Sequence, residues 1–176
     1  IYIPNGVDTK TYKEIKVPVS NKITFVGRIH EQKGIIYLLK AFYEIKDKIP
    51  KFRLEIIGNV NDYAKKLMNE FPDSKVIWRG FILERKKLFK ELASSYVLVY
   101  PSLWEALPWP ALLEGLASGR PVIASNLDGM RNIFSDKEDI LLFEPENYNK
   151  LGEKLLKLIN DENFAKALAQ KGDIYI

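Results

Sequence analysis

The stretch Ile23-Thr24-Phe25-Val26-Gly27-Arg28-Ile29-His30-Glu31-Gln32-Lys33-Gly34 decides the fold, because it joins an apolar run of strand length to a long segment of helical period. Ile23–Val26 is short and rich in β-branched and aromatic residues, as buried parallel strands are. From Lys33 to Ile49, apolar residues recur at the spacing of a helix that packs one side against a sheet. We expect Pro50 to end this helix. The stretch therefore predicts a strand, a glycine-bounded loop and a helix.

The same alternation continues along the chain. Five more apolar runs predict strands at Leu54–Ile57, Val76–Trp78, Val97–Tyr100, Val122–Ala124 and Leu141–Phe143. Further helices are predicted at Tyr63–Phe71, Arg85–Ser94, Pro110–Ser118, Tyr148–Ile159 and Asn163–Gln170. Because parallel crossovers are long and right-handed, this order predicts an α/β fold with a doubly wound, Rossmann-like parallel sheet of about six strands. Ligands in this architecture bind beyond the carboxyl ends of the strands.

Composition limits the classes of protein that this chain can be. Its 176 residues, 47% of them apolar, are enough for one well-filled core and too few for two large ones. The formal charge of +4 is mild and well mixed, so no nucleic-acid partner is implied. There is no cysteine, and the single His30 cannot build a zinc or iron site alone, so we expect no metal. No apolar run reaches about 18 residues and no basic-then-apolar leader opens the chain, which predicts neither a membrane span nor an export signal.

The loop from Gly27 to Gly34 carries two cations near a predicted helix N-terminus, where free N–H groups already favour an anion. Arg28 can grip phosphate oxygens with its planar fork, and Lys33 can act as a mobile point charge. The alternative is that both are solvated loop charges. His30 could shuttle protons near neutral pH or could simply be exposed. The glycine-lysine pattern of ATPase phosphate loops is absent.

Two carboxylates surround the start of a short helix directly after the fourth predicted strand. Pro110 suits the first turn of that helix and Gly119 its C-terminal cap, so Glu114 lies one turn in from the positive end. Glu114 could accept hydrogen bonds from sugar hydroxyls, or it could merely complement the helix dipole. Glu105 lies in the preceding loop, where it could also be a helix cap or a surface acid. Tyr100 is interpreted as a core residue.

Five motifs follow one another along nearly the whole chain. They are Asn5-Gly6-Val7-Asp8, Gly27-Arg28-x4-Lys33-Gly34, Pro101-Ser102-x-x-Glu105, Glu114-Gly115-Leu116-Ala117 and Ser118-Gly119-Arg120-Pro121-Val122-Ile123-Ala124-Ser125. In this order they resemble the carboxyl-terminal half of glycosyltransferase family 4, which has the GT-B fold.

The resemblance implies one half of a two-domain enzyme. Residues 1–20 would be the interdomain linker and entry segment, residues 21–176 the nucleotide-sugar (donor) binding domain, and the amino-terminal acceptor domain would be absent from this chain. The full-length enzyme would transfer a sugar from a nucleoside diphosphate sugar to an unknown acceptor (a saccharide, lipid or small molecule), with retention of configuration and without a metal or other cofactor. We expect the fragment to be inactive alone. We also expect a cytoplasmic protein, peripheral to the membrane if the acceptor is a lipid.

The resemblance also implies roles for individual residues. Arg28, Lys33 and Glu105 would be catalytic, the two cations by binding the donor diphosphate and Glu105 by contacting the transferred sugar. Glu114 would bind the ribose, and the base would lie against main chain after the third strand. The implied donor-binding residues are Gly27, Arg28, Lys33, Gly58, Gly80, Phe81, Ile82, Glu105, Ala106, Leu107 and Glu114.

The spacing of the two acids departs from the family. Eight residues separate Glu105 from Glu114, one more than the family has. Either one residue is inserted or Ala106 holds the first acidic position; we favour the insertion, because Glu105-Ala106-Leu107-Pro108 resembles the family's loop. Asn132 also stands where the family commonly has Glu. Pro108 and Pro110 cannot donate N–H groups where the family often offers main-chain donors to the sugar. The altered spacing and the two prolines keep open a nucleotide-binding module that has lost transfer activity, and a sugar epimerase or phosphorylase of the same fold is a further alternative.

Overall fold

A computed structural model of the chain describes residues 17–105, 110–131 and 133–172. The strands are β1 (Lys22–Val26), β2 (Arg53–Ile57), β3 (Val76–Gly80), β4 (Val97–Tyr100), β5 (Val122–Ser125) and β6 (Leu141–Phe143). The helices are α1 (Ile35–Ile45), α2 (Asp62–Glu70), α3 (Arg85–Ala93), α4 (Pro110–Ala117), α5 (Asp128–Arg131), α6 (Tyr148–Asn160) and α7 (Glu162–Gly172). None of the described helices is both long and apolar enough to cross a bilayer.

The six strands form one parallel sheet in the order β3-β2-β1-β4-β5-β6. This confirms the doubly wound α/β fold and all six predicted strands. Chain order reverses at β1, whose neighbours are β2 on one side and β4 on the other. The crevice beyond the carboxyl ends of β1 and β4 is therefore the switch point at which such sheets bind ligands.

Buried side chains alternate between the two faces of the sheet. In β4, Val97 and Val99 join one apolar cluster, while Leu98 and Tyr100 join a second. This period of two is the pleat of a strand that is covered on both faces. Helices α1, α2, α6 and α7 contribute to the first cluster, and α3, α4 and α5 contribute to the second. The helices thus fix the sheet from both sides and leave its carboxyl edge available for a site.

One helix prediction was wrong in detail. The segment predicted from Lys33 to Ile49 is a 3-10 turn over Glu31–Lys33, then α1, which ends at Ile45. Gly34 separates the two parts because its backbone is left-handed, with φ of 61°. Ile49 follows the helix in a turn and is still buried, so the apolar period outlasts the helical backbone.

After β5, Asp128–Arg131 forms one turn of helix, α5, in a segment for which the sequence predicted no helix. Residues 1–16 lie outside the described residues, so the proposed linker over residues 1–20 stays a prediction. Of its last four residues, Ser20 is bound to the domain, with its N–H and its hydroxyl both donating to the carbonyl of Ser94 at 2.8 and 2.9 Å.

Candidate functional site

A cavity of about 270 Å³ lies at the switch point, beyond the ends of β1 and β4. Gly27, Arg28, Lys33 and Glu105, four of the residues predicted to bind the donor, line it together. The other lining residues are Phe25, Val26, Tyr100, Ser102, Pro110, Ala111, Leu112, Leu127 and Met130. One wall is thus charged and the rest is mostly apolar, as in cavities that enclose a small organic ligand with a polar anchor.

Glycines allow the loops of the site to approach one another closely. A Cβ on Gly34 would lie 1.9 Å from the carbonyl oxygen of Pro101, and one on Gly58 would lie 2.2 Å from that of Gly27. Where Gly34 approaches Pro101, the two loops are also joined by a hydrogen bond, from the N–H of Leu103 to the Gln32 carbonyl at 2.8 Å. The loop after β1 is therefore fixed on the loop after β4, which places Arg28 and Lys33 beside Glu105.

Lys33 forms an ion pair with Glu105 across the cavity. The Ser102 hydroxyl also donates to Glu105, at 3.0 Å, and both members of the ion pair are mostly buried. Burial and the neighbouring Arg28 lower the pKa of Lys33. Glu105 is therefore a cavity residue and not a surface acid. Ser102 belongs to the site but was quoted in the sequence only as part of a motif.

Arg28 is exposed at the rim of the same cavity. No ion pair of Arg28 occurs within the described parts of the chain, so its guanidinium is available to an incoming anion. His30 is also exposed; its Nδ1 accepts a hydrogen bond from the N–H of Gln32 at 3.3 Å and caps the 3-10 turn. The structure therefore favours the interpretation of His30 as an exposed loop residue.

Glu114 lies on α4 and is not among the residues that line this cavity. Its carboxylate is 15% exposed and forms an ion pair with Arg85, whose Nη2 lies 3.0 Å from Oε1. Burial raises the pKa of Glu114, and the charge of Arg85 partly opposes that rise. Sequence reasoning missed Arg85, because 29 residues separate it from Glu114 and no motif includes it.

Tyr100 positions the helix that carries Glu114. It is 8% exposed, which confirms its interpretation as a core residue, yet it also lines the cavity. Its hydroxyl donates to the Ala111 carbonyl in the first turn of α4 at 2.6 Å. Gly115 provides the room, because a Cβ there would lie 2.6 Å from the same hydroxyl oxygen.

A second cavity, of about 260 Å³, adjoins the first. Gly27 and Arg28 line both cavities, and Ile29, His30, Asn59, Asn61 and Phe81 complete the second. Phe81 is 70% exposed, and Ile82 is half-buried. The Gly80 carbonyl accepts a hydrogen bond from the N–H of Gly58 at 3.0 Å, which ties the ends of β2 and β3 together.

Several residues named from the sequence lie outside the described residues: Ala106, Leu107, Pro108 and Asn132. The assignment of Glu105 to the first acidic position therefore stays a prediction, although Glu105 does line the cavity. Gly119 follows α4 with φ of 66° and its N–H bonded to the Leu116 carbonyl, as predicted for a C-terminal cap.

This fold and this cavity define a Rossmann-like domain with a candidate ligand cavity at the switch point of its sheet, lined by Arg28, Lys33 and Glu105. Residues 8–174 match the family model described as glycosyl transferases group 1. The chain belongs to this family, which confirms the resemblance found in its motifs.

Curated relatives agree with the family. An uncharacterised glycosyltransferase of Methanocaldococcus jannaschii is 37% identical over 152 residues, covering 84% of this chain and 41% of the relative. The MMP alpha-(1->4)-mannosyltransferase of Mycolicibacterium hassiacum is 28% identical over 173 residues, covering 97% of this chain and 42% of the relative. The chain therefore spans about two fifths of the length of these relatives.

Solved structures share the fold. One is the C-terminal domain of a glycosyl transferase group 1 family protein, LpcC of Francisella tularensis. It superposes with a TM-score of 0.78 at 24% identity, and the match covers 98% of this chain and 92% of the LpcC chain. HepE of Anabaena, solved in complex with UDP, superposes with a TM-score of 0.84 at 18% identity. That match covers 97% of this chain and 50% of the HepE chain. The architecture is thus that of one half of a GT-B glycosyltransferase.

Proposed function

We propose that this chain is the donor-binding half of a retaining glycosyltransferase that uses a nucleoside diphosphate sugar. The observation that carries the proposal is the placement of Arg28 and Lys33 on one cavity at the switch point, beside Glu105. A diphosphate needs fixed cations, and this pair lies where such folds bind phosphates. The UDP bound to HepE, a structural neighbour, supports the same class of ligand.

In this proposal, Arg28 and Lys33 stabilise the leaving group. Transfer breaks the bond between the anomeric carbon and the phosphate oxygen, and the negative charge that develops on the diphosphate is met by the two cations. Each well-placed donor contributes about 3 kcal/mol to lowering the barrier. The acceptor oxygen bonds to the anomeric carbon, and its proton passes to the departing phosphate. We expect no metal ion in this step.

In this proposal, binding of the donor must break the ion pair between Lys33 and Glu105. Before binding, the two charges neutralise each other inside the cavity. A diphosphate competes with Glu105 for the ammonium group, because its oxygens carry more charge. We propose that Lys33 then turns to the phosphate and that Glu105 accepts hydrogen bonds from hydroxyls of the transferred sugar. The Ser102 hydroxyl, already bonded to Glu105, keeps that carboxylate in place during the exchange.

Calorimetry of the 176-residue chain with UDP, GDP and ADP tests the proposal. Arg28→Ala and Lys33→Ala should each weaken binding roughly 10- to 100-fold, the range of a charged hydrogen bond. Lys48→Ala is the matched control, because Lys48 is exposed and has no ion pair among the described residues. Absence of binding by all three nucleotides at millimolar concentration would contradict the proposal. Equal affinity of the wild type and both site variants would contradict it as well.

A nucleotide-binding domain without transfer is the second candidate, favoured by the extra residue between Glu105 and Glu114. The two candidates differ in the activity of the longer protein to which this chain would belong. Turnover of a nucleotide sugar that disappears in Glu105→Gln would exclude the inactive module. The chain alone should bind without transferring, because the acceptor half of the cleft is needed to hold the second substrate.

A further inference from the structure

Arg85 and Glu114 form a contact that no motif explains. Arg85 is the first residue of α3, and its Nη2 lies 3.0 Å from Oε1 of Glu114 on α4. The guanidinium carbon also lies 5.0 Å from the ring centre of Phe89, one turn further along α3. Arg85 is 64% exposed and Glu114 is 15% exposed. An exposed cation is therefore held at two points over a mostly buried acid.

This contact uses only part of the hydrogen-bonding capacity of the Glu114 carboxylate. An ionised carboxylate has about four acceptor positions, and Arg85 occupies one of them. The Glu114 carboxylate has no second ion pair or hydrogen bond to residues 17–105, 110–131 and 133–172. The remaining positions suffice for two neighbouring hydroxyl groups. A bound Arg85 and a bound ribose are thus compatible at the same carboxylate.

The charge of Arg85 also favours the ionised form of Glu114. Burial raises the pKa of Glu114, and Arg85 is the charged group that counteracts it. Among the described residues, Tyr100 on β4 also interacts with Glu114; burial and the charge of Glu114 raise the pKa of the Tyr100 hydroxyl, so it stays neutral. Without Arg85, the carboxyl group would protonate at a higher pH and would lose acceptor positions.

We propose that Arg85 is a positioning residue of the donor site, which orients the Glu114 carboxylate to accept hydrogen bonds from the ribose diol of the donor. The inference rests on the proposed function, because it assumes that a ribonucleotide binds at this edge of the sheet. It adds a partner for Glu114 from α3, directly after the loop against which the base is expected to lie. Arg85 itself acts through Glu114 and need not touch the ligand.

The test compares two nucleotides on three variants of the 176-residue chain. The probes are the diphosphate among UDP, GDP and ADP that binds best, and its 2′,3′-dideoxy analogue, which lacks the diol. Arg85→Gln should weaken the ribonucleotide roughly 10- to 100-fold, as expected for loss of a charged hydrogen bond, and leave the dideoxy analogue unchanged. Arg85→Lys keeps the charge without the planar fork and should restore part of the loss. Lys86→Gln removes the neighbouring exposed charge and should change neither affinity.

The pH dependence gives a second measurement that a structural role alone would not change. As the pH is lowered, the preference for the ribonucleotide should disappear at a higher pH in Arg85→Gln than in the wild type, because the pKa of Glu114 is higher without its counter-ion. Tighter ribonucleotide binding in Arg85→Gln would overturn the inference and make Arg85 a competitor of the ribose. Equal losses for both nucleotides would also overturn it. If the wild type binds no nucleotide, the proposed function fails and the inference fails with it; if only the Arg85 contrast is missing, the proposed function stands.

Discussion

Replacing Gly34 by alanine should destabilise the domain by about 2–5 kcal/mol. Two independent terms contribute. The backbone of Gly34 is left-handed, with φ of 61°, which costs a residue with a Cβ about 1–2 kcal/mol. The new Cβ would also lie 1.9 Å from the Pro101 carbonyl oxygen, whereas real contacts of this kind are not shorter than 3.0 Å. One loop must then move by about 1 Å, and such overpacking costs about 1–3 kcal/mol.

Two other glycines separate the terms. Gly119 has nearly the same φ, 66°, but a Cβ there would meet nothing within 4 Å, so Gly119→Ala carries the conformational cost alone. Gly58 lacks a left-handed backbone, but its Cβ would lie 2.2 Å from the Gly27 carbonyl oxygen, so Gly58→Ala carries the steric cost alone. All three changes reduce the entropy of the unfolded chain equally, and that contribution cancels in the comparison.

Urea unfolding followed by circular dichroism measures the three free energies. Gly34→Ala should lose the most, close to the sum of the other two, and its midpoint of thermal unfolding should fall by about 10 °C for a domain of this size. Gly34→Ala should also weaken the ion pair between Lys33 and Glu105, because the loops that carry them meet at this glycine. A loss no larger than that of Gly119→Ala would refute the reasoning, since the close approach to Pro101 would then cost nothing.

Two further predictions concern the supports of the fold. Gly115→Ala should destabilise the wild type by about 1–3 kcal/mol. It should destabilise the Tyr100→Phe variant by less, because the hydroxyl oxygen that a Cβ would meet at 2.6 Å is absent there. A double-mutant cycle by urea unfolding measures this coupling, and additive losses of stability would contradict it. Lys46→Met should destabilise the domain at about pH 7 and have little effect at about pH 2. The hydrogen bond from Lys46 lowers the pKa of Asp73. The stability that this bond contributes is therefore present above the ordinary pKa of an aspartate and is lost as the pH falls through the lowered pKa of Asp73. An effect of equal size at both pH values would contradict this.

The sheet could be predicted because its information is local and repeated. Val97–Tyr100 is apolar at every position, which is the pattern of a strand covered on both faces, and the helices before and after it leave only a parallel arrangement. The end of α1 could not be read in the same way. The apolar period runs on to Ile49, but burial of that side chain in a turn satisfies the same pattern as burial in a helix.

The site was predictable to the extent that its residues lie within motifs. Gly27, Arg28 and Lys33 share one loop, so their common position at the end of β1 follows from the strand alone. The contact of Glu105 with Lys33 joins residues 72 positions apart and depends on the order of strands β1 and β4 in the sheet. The pairing of Arg85 with Glu114 depends on how α3 and α4 lie beside each other, which no local pattern encodes.

The charges of the site are largely balanced before any ligand arrives. Lys33 faces Glu105, Arg85 faces Glu114, and Arg28 alone of these cations has no ion pair within the described residues. A diphosphate carries at least two negative charges, so Arg28 cannot neutralise it alone. Under the proposed function, donor binding must therefore take Lys33 from Glu105, and the cost of breaking that mostly buried pair lowers the affinity for an anion that offers nothing to Glu105 in return. A nucleotide sugar can supply hydroxyl groups to the released carboxylate, whereas a free diphosphate cannot. If the proposed function is right, the ion pair favours the complete donor over its diphosphate product or another anion, which is a discrimination that two unpaired cations could not provide.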